Sequence, residues 1–172
     1  MLLDLSRFRG EADHIERRFE PGAFAPDEDF KVVAPVTFTA DLRKDGKKFR
    51  LAGTVRTTLG CVCSRCLEPF TIPVDARFDL LFLPAAENTG DDEQEVGDDD
   101  LGVSFYKEDT IDLGEVMREQ FFLALPMKPL CREDCKGLCP VCGINRNRET
   151  CTCNPEWVDP RMEALRHLRR DQ

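Results

Sequence analysis

Val36-Thr37-Phe38-Thr39-Ala40-Asp41-Leu42-Arg43-Lys44-Asp45-Gly46-Lys47-Lys48-Phe49-Arg50-Leu51-Ala52-Gly53-Thr54-Val55-Arg56-Thr57 is the stretch from which the fold is read. Val36, Phe38, Ala40 and Leu42 alternate with Thr37, Thr39 and Asp41, the period of a strand with one face in a core. Lys44-Asp45-Gly46-Lys47 is a hairpin-type turn, with Asp-Gly expected to supply the positive φ angles. Beyond it Phe49, Leu51, Gly53, Val55 and Thr57 alternate with Arg50, Ala52, Thr54 and Arg56. A third run, Phe70 to Phe82, puts Ile72, Val74, Ala76, Phe78, Leu80 and Phe82 on one face. Three consecutive segments of period two predict an antiparallel sheet or partial barrel.

Outward from this centre the signals weaken. Toward the start, Leu2 to Phe8 is read as a short strand, followed by an irregular or weakly helical piece ending at Pro21. Toward the end, Val103 to Tyr106 predicts another strand. Asp109 or Asp112 can then cap a helix in which Val116, Met117, Gln120, Phe121, Ala124 and Leu125 follow helical spacing. That helix should stop before Pro126 and cover the sheet. Asp159-Pro160 opens a short terminal helix with Met162, Leu165 and Leu168 on one stripe. The expected class is α+β: an antiparallel β-sheet or partial barrel covered by a helix, then a zinc-knuckle-like cysteine module and a short terminal helix. The expected division is a β-rich core over 1–127, including an acidic loop at about 85–102, and a cysteine-rich tail with a basic helix over 128–172.

The chain has 172 residues and a formal charge of −9. The acidity is uneven. Glu87, Asp91, Asp92, Glu93, Glu95, Asp98, Asp99 and Asp100 lie in a stretch, Ala85 to Tyr106, that has no Lys or Arg, so the rest of the chain is near neutral. This stretch reads as a solvated loop or a decoy for a basic partner. Net acidity argues against coating nucleic acid by bulk charge, yet leaves room for a local basic face. Arg161, Arg166, Arg169 and Arg170 surround the terminal apolar stripe; they either favour the helix dipole or face phosphate. No apolar run approaches the roughly 18 to 20 residues of a membrane span. The first residues lack the basic-then-apolar pattern of a secretory signal, so a cytoplasmic location is expected.

Nine cysteines without an export signal fit poorly with a disulfide scaffold. Cys139-Pro140-Val141-Cys142-Gly143 is the strongest local signal, because two thiolates two residues apart can fill two corners of a zinc tetrahedron where the chain turns sharply. Cys131 and Cys135 lie upstream and Cys151 and Cys153 downstream. The preferred set is Cys139, Cys142, Cys151 and Cys153; the compact alternative is Cys131, Cys135, Cys139 and Cys142. Cys63 and Cys66, between two strands, are either structural thiols, part of a second metal site, or a redox pair. The redox reading wants a strand followed by a helix at the motif, and β-type alternation follows instead. Cys61 is left over.

No catalytic constellation stands out: there is no Gly-rich phosphate loop, no Gly-x-Ser-x-Gly and no pair of His at helical spacing. His14 and His167 are isolated in charged contexts. No small-molecule substrate is indicated, and a thiolate-only metal site is a structural one by preference.

Cys63-Ser64-Arg65-Cys66-Leu67-Glu68-Pro69-Phe70 resembles the Cys-x-Arg-Cys-Leu signature of the YceD family, the large ribosomal RNA subunit accumulation proteins. Leu130-Cys131-Arg132-Glu133-Asp134-Cys135-Lys136-Gly137-Leu138-Cys139-Pro140-Val141-Cys142-Gly143 is similar to that family's C-terminal motif. So are Asn145-Arg146-Asn147, Cys151-Thr152-Cys153 and Asp159-Pro160-Arg161. The resemblance implies a role in accumulation or processing of large-subunit ribosomal RNA, as in bacteria and plastids, often beside the gene of a small zinc-binding ribosomal protein. Some members lack the C-terminal cysteines, which implies a metal that stabilises the tail without being the shared activity.

Two classes of function follow from the residues and the resemblance together. One is a non-enzymatic ribosome-assembly factor that binds pre-rRNA or a large-subunit ribosomal protein, with structural zinc. The other is a thiol- or metal-dependent enzyme using Cys63 and Cys66. A zinc-dependent transcriptional regulator is a weaker third reading that no recognition-helix pattern supports.

Overall fold

A computed structural model describes residues 1–8, 10–85 and 102–153. Within them the chain forms β1 (Leu2–Asp4), a single 3-10 turn (Leu5–Arg7), β2 (Ala12–Phe19), β3 (Lys31–Val32), β4 (Val36–Asp45), β5 (Lys48–Val62), β6 (Pro69–Pro84), β7 (Val103–Tyr106), β8 (Thr110–Asp112) and α1 (Leu113–Ala124). The acidic residues 86–101 and the expected terminal helix lie outside the described residues.

The expected hairpin is the centre of the sheet. β4 and β5 pair antiparallel from Thr37↔Arg56 to Asp45↔Lys48. Only Gly46 of the Asp-Gly pair takes a positive φ, 59°, while Asp45 ends the strand. That is a two-residue connection with glycine first, whose backbone twist suits the flanking strands. β5 then runs antiparallel to β6 from Phe49↔Phe82 to Val62↔Pro69.

The strand order is β2-β4-β5-β6-β7, with β3 beside β5 beyond the end of β4, and β1-β8 form a separate two-stranded ribbon. The sheet is open rather than closed. It is also not wholly antiparallel, because β7 pairs with β6 in parallel, Leu81↔Val103 to Pro84↔Tyr106. A parallel neighbour needs a long return connection, and residues 85–102 are long enough to supply it.

Ala12–Phe19 corrects the expected irregular or weakly helical piece. It is an edge strand, fully paired with β4 from Ala12↔Arg43 to Phe19↔Val36. Only Ile15 of this strand is buried. An edge strand with one anchor and charged residues on both faces leaves no clean alternation to read.

The core joins the inward residues of the sheet, Phe38, Leu42, Leu51, Val55 and Leu59, to one stripe of α1, Leu113, Val116, Met117 and Phe121. Asp112 caps that helix, its carboxylate accepting the Gly114 N–H at 2.8 Å. Leu125 closes it, its N–H bonding back to the Phe121 and Phe122 carbonyls. Inside the sheet Gly53 faces Ala40 across the ladder, and a Cβ on Gly53 would stand 2.2 Å from the Thr39 carbonyl oxygen. The missing side chain lets the two strands close up, and Phe38 stacks on Phe78 nearby with centroids 5.5 Å apart.

Candidate metal centres

The link between β5 and β6, residues 63–68, is a short loop because its ends are pinned by the Val62↔Pro69 pair. The Cys63 N–H donates to the Glu68 carbonyl and the Leu67 N–H to the Cys63 carbonyl, each at 2.9 Å. Leu67 sits in the left-handed region, φ 58°. The loop at Cys139 is built the same way: the Cys139 N–H donates to the Ile144 carbonyl at 2.8 Å and the Gly143 N–H to the Cys139 carbonyl at 2.9 Å. Gly143, at φ 75°, takes the place of Leu67. Two Cys-x-x-Cys segments with different sequences thus make one kind of turn, which aims both sulfurs to the same side.

Each turn is completed by a second cysteine pair. The sulfurs of Cys63, Cys66, Cys131 and Cys135 all lie within 4.8 Å of one another, and so do those of Cys139, Cys142, Cys151 and Cys153. The first cluster has Cys63, Cys66 and Cys135 buried, with Phe70 and Leu130 packed against them, and Cys131 half-buried. The second is shallower, with Cys139 buried, Cys142 exposed and Cys151 and Cys153 half-buried. The sulfurs of Cys131 and Cys135 group with those of Cys63 and Cys66, and not with those of Cys139 and Cys142 as the compact alternative set had it.

A ring of polar contacts holds the first cluster closed. Arg65, between its two cysteines, donates from Nη1 to the Cys135 carbonyl at 3.0 Å and the Glu133 carbonyl at 3.3 Å. Its own carbonyl accepts the Leu138 N–H at 3.0 Å. Gly137 lies against that carbonyl at φ 69°, where a Cβ would meet the Arg65 oxygen at 2.9 Å. Asn147 accepts the Lys136 N–H and an Arg132 guanidinium N–H at 2.8 Å each, and donates from Nδ2 to the Cys135 sulfur at 3.3 Å. Sequence reasoning assigned no role to Arg65, Gly137 or Asn147. Their only signal was their presence in the quoted Cys-x-Arg-Cys, Lys-Gly-Leu-Cys and Asn-Arg-Asn motifs.

The sequence profile of the family described as "Large ribosomal RNA subunit accumulation protein YceD" matches residues 51–169, from β5 through both cysteine clusters. The chain belongs to the YceD family. It is similar to a maize protein named "Large ribosomal RNA subunit accumulation protein YCED homolog 1, chloroplastic", 31% identical over an alignment of 150 residues that covers 72% of this chain and 50% of the maize protein. The Arabidopsis thaliana protein of the same name is 30% identical over an alignment of 163 residues that covers 83% of this chain and 51% of that one. The uncharacterised Bacillus subtilis protein YlbN is 28% identical over 141 residues, 81% of this chain and 77% of its own length. The chain spans about half the length of the plant relatives. No solved structure matches it.

In this YceD chain the sulfur geometry fits a tetrahedral thiolate metal. A metal–sulfur bond of about 2.3 Å places neighbouring ligands about 3.8 Å apart. Cys63 and Cys135 are 3.8 Å apart and Cys66 and Cys131 3.7 Å. Burial pushes the Cys63 thiol up, but the backbone N–H groups of Cys131, Cys66 and Arg65 outweigh it and hold the thiol at about 6. Cys139 is likewise held at about 6 by the N–H groups of Cys142 and Val141. One member of each set resists ionisation. Burial and the neighbouring Cys66 thiol push Cys131 up to about 12, and Cys142 with burial does the same to Cys153. Four thiolates this close repel one another, and a divalent cation would remove that penalty, with all four sulfurs of either set able to ligate it.

The remaining sequence-predicted residues fall elsewhere. Cys61 is buried in the main core, apart from both clusters, where burial and the charge of Asp29 push its thiol up. His14 pairs with Asp41 at 2.7 Å on the exposed face of the β2–β4 pair. Arg161, Arg166, Arg169, Arg170 and His167 lie outside the described residues. No helix among the described residues is long and apolar enough to cross a membrane.

Proposed function

We propose that this protein is a non-enzymatic ribosome-biogenesis factor that supports accumulation or processing of large-subunit ribosomal RNA by binding pre-rRNA or a large-subunit ribosomal protein in the cytoplasm. Two structural zinc ions, on Cys63, Cys66, Cys131 and Cys135 and on Cys139, Cys142, Cys151 and Cys153, hold its cysteine-rich part in shape.

One observation carries the reading. Within a family named for rRNA accumulation, the pair Cys63 and Cys66 is not an isolated dithiol but half of a largely buried four-sulfur set. Four protein thiolates fill a tetrahedral ion's coordination shell, leaving no position for a substrate or water, which is the pattern of a structural site. A redox dithiol instead wants an accessible leading thiol, and Cys63 is buried in this set. The enzymatic alternative therefore has less support than the binding one.

The same proposal gives the two parts of the chain distinct work. The β core up to residue 127 is the platform. The first cluster joins the β5–β6 link to residues 131–135 and so fastens the part from 128 onward. The tail arginines 161, 166, 169 and 170 contact rRNA. Pull-down of the full-length chain with and without ribonuclease, read for large-subunit ribosomal proteins and pre-rRNA, tests the reading. Recovery of neither, in cells whose large-subunit rRNA is unchanged by depletion of the protein, overturns it.

A further inference from the structure

We infer that the groove at the Val62 end of β5 receives an extended segment of a partner protein, one that carries lysine or arginine beside an aliphatic or aromatic anchor. The inference rests on the proposed role as a binding factor and names the chemistry of the partner.

The groove is a cavity of about 430 Å³ between the turn before β3 and the last residues of β5 with the first of β6. Its apolar surface comes from Val33, Val62 and Phe70. Val33, just after β3, is 44% exposed, and Val62, the last residue of β5, is 55% exposed, so the two form an adjacent exposed apolar pair. Between them Gly60 leaves the strand surface bare, since a Cβ there would press on the Val33 methyl at 3.0 Å. The backbone is open too. β3 pairs with β5 only at Val32↔Leu59 and Lys31↔Gly60, so among the described residues no strand flanks Cys61 and Val62 on that side. An open edge beside an apolar trough is the arrangement to which an extended peptide adds as a strand.

Charge selects the occupant. The rim is Asp27-Glu28-Asp29, a tight turn closed by the Asp27 N–H on the Phe30 carbonyl at 3.0 Å. Asp27 is paired with Arg118. Glu28 and Asp29 are exposed and have no ion pair among the described residues, against one rim cation, Lys31. Two free carboxylates over an apolar floor attract a basic segment and repel phosphate, so the groove suits a cationic protein strand and not RNA. A segment of alternating basic and apolar residues satisfies both, its apolar side chains in the trough and its cations at the rim.

The test is site-specific photo-crosslinking in the full-length chain in its own cells, with a benzophenone amino acid replacing Thr71 on the groove wall and, as control, Arg77 further along β6. The captured segment is identified by mass spectrometry. The expected result is an adduct at position 71 and none at 77, mapping to a protein segment with net positive charge and an apolar anchor. That adduct falls at least fivefold in the Glu28→Lys/Asp29→Lys variant and in Val62→Asp, both surface changes. An adduct to RNA, to an acidic segment or to a second copy of this chain, no adduct, or one that charge reversal leaves intact overturns the proposal. Depletion of the protein separates the two readings. If large-subunit rRNA falls while no such adduct forms, the groove is wrong and the ribosomal role stands; if the adduct forms while rRNA is unaffected, the reverse holds.

Discussion

Leu67 and Gly143 occupy the same position in two turns of unrelated sequence: each follows the second cysteine of a Cys-x-x-Cys pair, each has a positive φ, 58° and 75°, and each donates its N–H to the carbonyl of the first cysteine at 2.9 Å. Glycine holds that conformation freely, whereas a leucine pays roughly 1–2 kcal/mol for it. Leu67 is nevertheless present, and its side chain is 62% exposed. Leu67→Gly is therefore expected to raise stability by about 1 kcal/mol in urea denaturation of the metal-loaded protein. Gly143→Leu is expected to lower it by about the same amount. A Leu67→Gly protein less stable than the parent contradicts the reading of the turn.

Gly137 and Arg65 make the clamp around the first cluster. Gly137→Ala adds a Cβ 2.9 Å from the Arg65 oxygen in a backbone conformation that alanine resists. The expected loss is about 2 kcal/mol, with weakened metal retention by the first cluster and not the second. Arg65→Met removes both Nη1 donations, to the Cys135 and Glu133 carbonyls, and should weaken the same cluster, because those carbonyls then lose their side-chain partner. Competition with a chelator, followed at each site by cobalt absorption, reads both changes. Equal metal retention in Gly137→Ala and the parent would sink this account of the clamp.

The centre of the sheet depends on Gly53. With its Cβ 2.2 Å from the Thr39 oxygen and 2.7 Å from the Ala40 Cα, Gly53→Val cannot be accommodated without parting β4 from β5. The expected loss is about 3 kcal/mol or more, enough to unfold much of the protein at 37 °C. A melting temperature within a few degrees of the parent contradicts the close approach.

The His14 imidazole is expected to titrate above its ordinary value of 6.5, because the Asp41 carboxylate bonds to its ring nitrogen and favours the charged form. A folded-state value raised above the unfolded one means that the pair's stabilisation is fully present below about pH 6.5 and is lost as pH rises through the folded value. Both groups are exposed, so the effect on stability is small and salt-sensitive. NMR titration of the His14 ring should show the raised value in the parent and a return toward 6.5 in Asp41→Asn. No change in Asp41→Asn refutes the pairing.

The β4–β5 hairpin and β6 were legible because alternation is strict where one face is buried and the other wet, and Asp45-Gly46 marks the turn. β2 was not, since Ile15 alone anchors it and its polar residues follow no period. The parallel seat of β7 was also invisible, because strand direction depends on where a long connection returns. The cysteines divide in the same way. Cys139 to Cys153 sit close in sequence, so spacing offered that set, though it offered Cys131, Cys135, Cys139 and Cys142 as well. Cys63 and Cys66 meet Cys131 and Cys135 through the fold, and no local pattern states which distant pair closes the set. Arg65 and Asn147 act on backbone carbonyls and a sulfur through tertiary contact, which polar residues in a loop do not announce.

The central claim is two separate four-thiolate sites, the first of which fastens the cysteine-rich segment to the β5–β6 link. Native mass spectrometry of the full-length protein, purified without chelator, measures it directly. The account predicts two zinc ions per chain in the parent, one in Cys63→Ser/Cys66→Ser and one in Cys151→Ser/Cys153→Ser. A parent that holds a single ion, or none, or a Cys63→Ser/Cys66→Ser protein that still holds two, would contradict it.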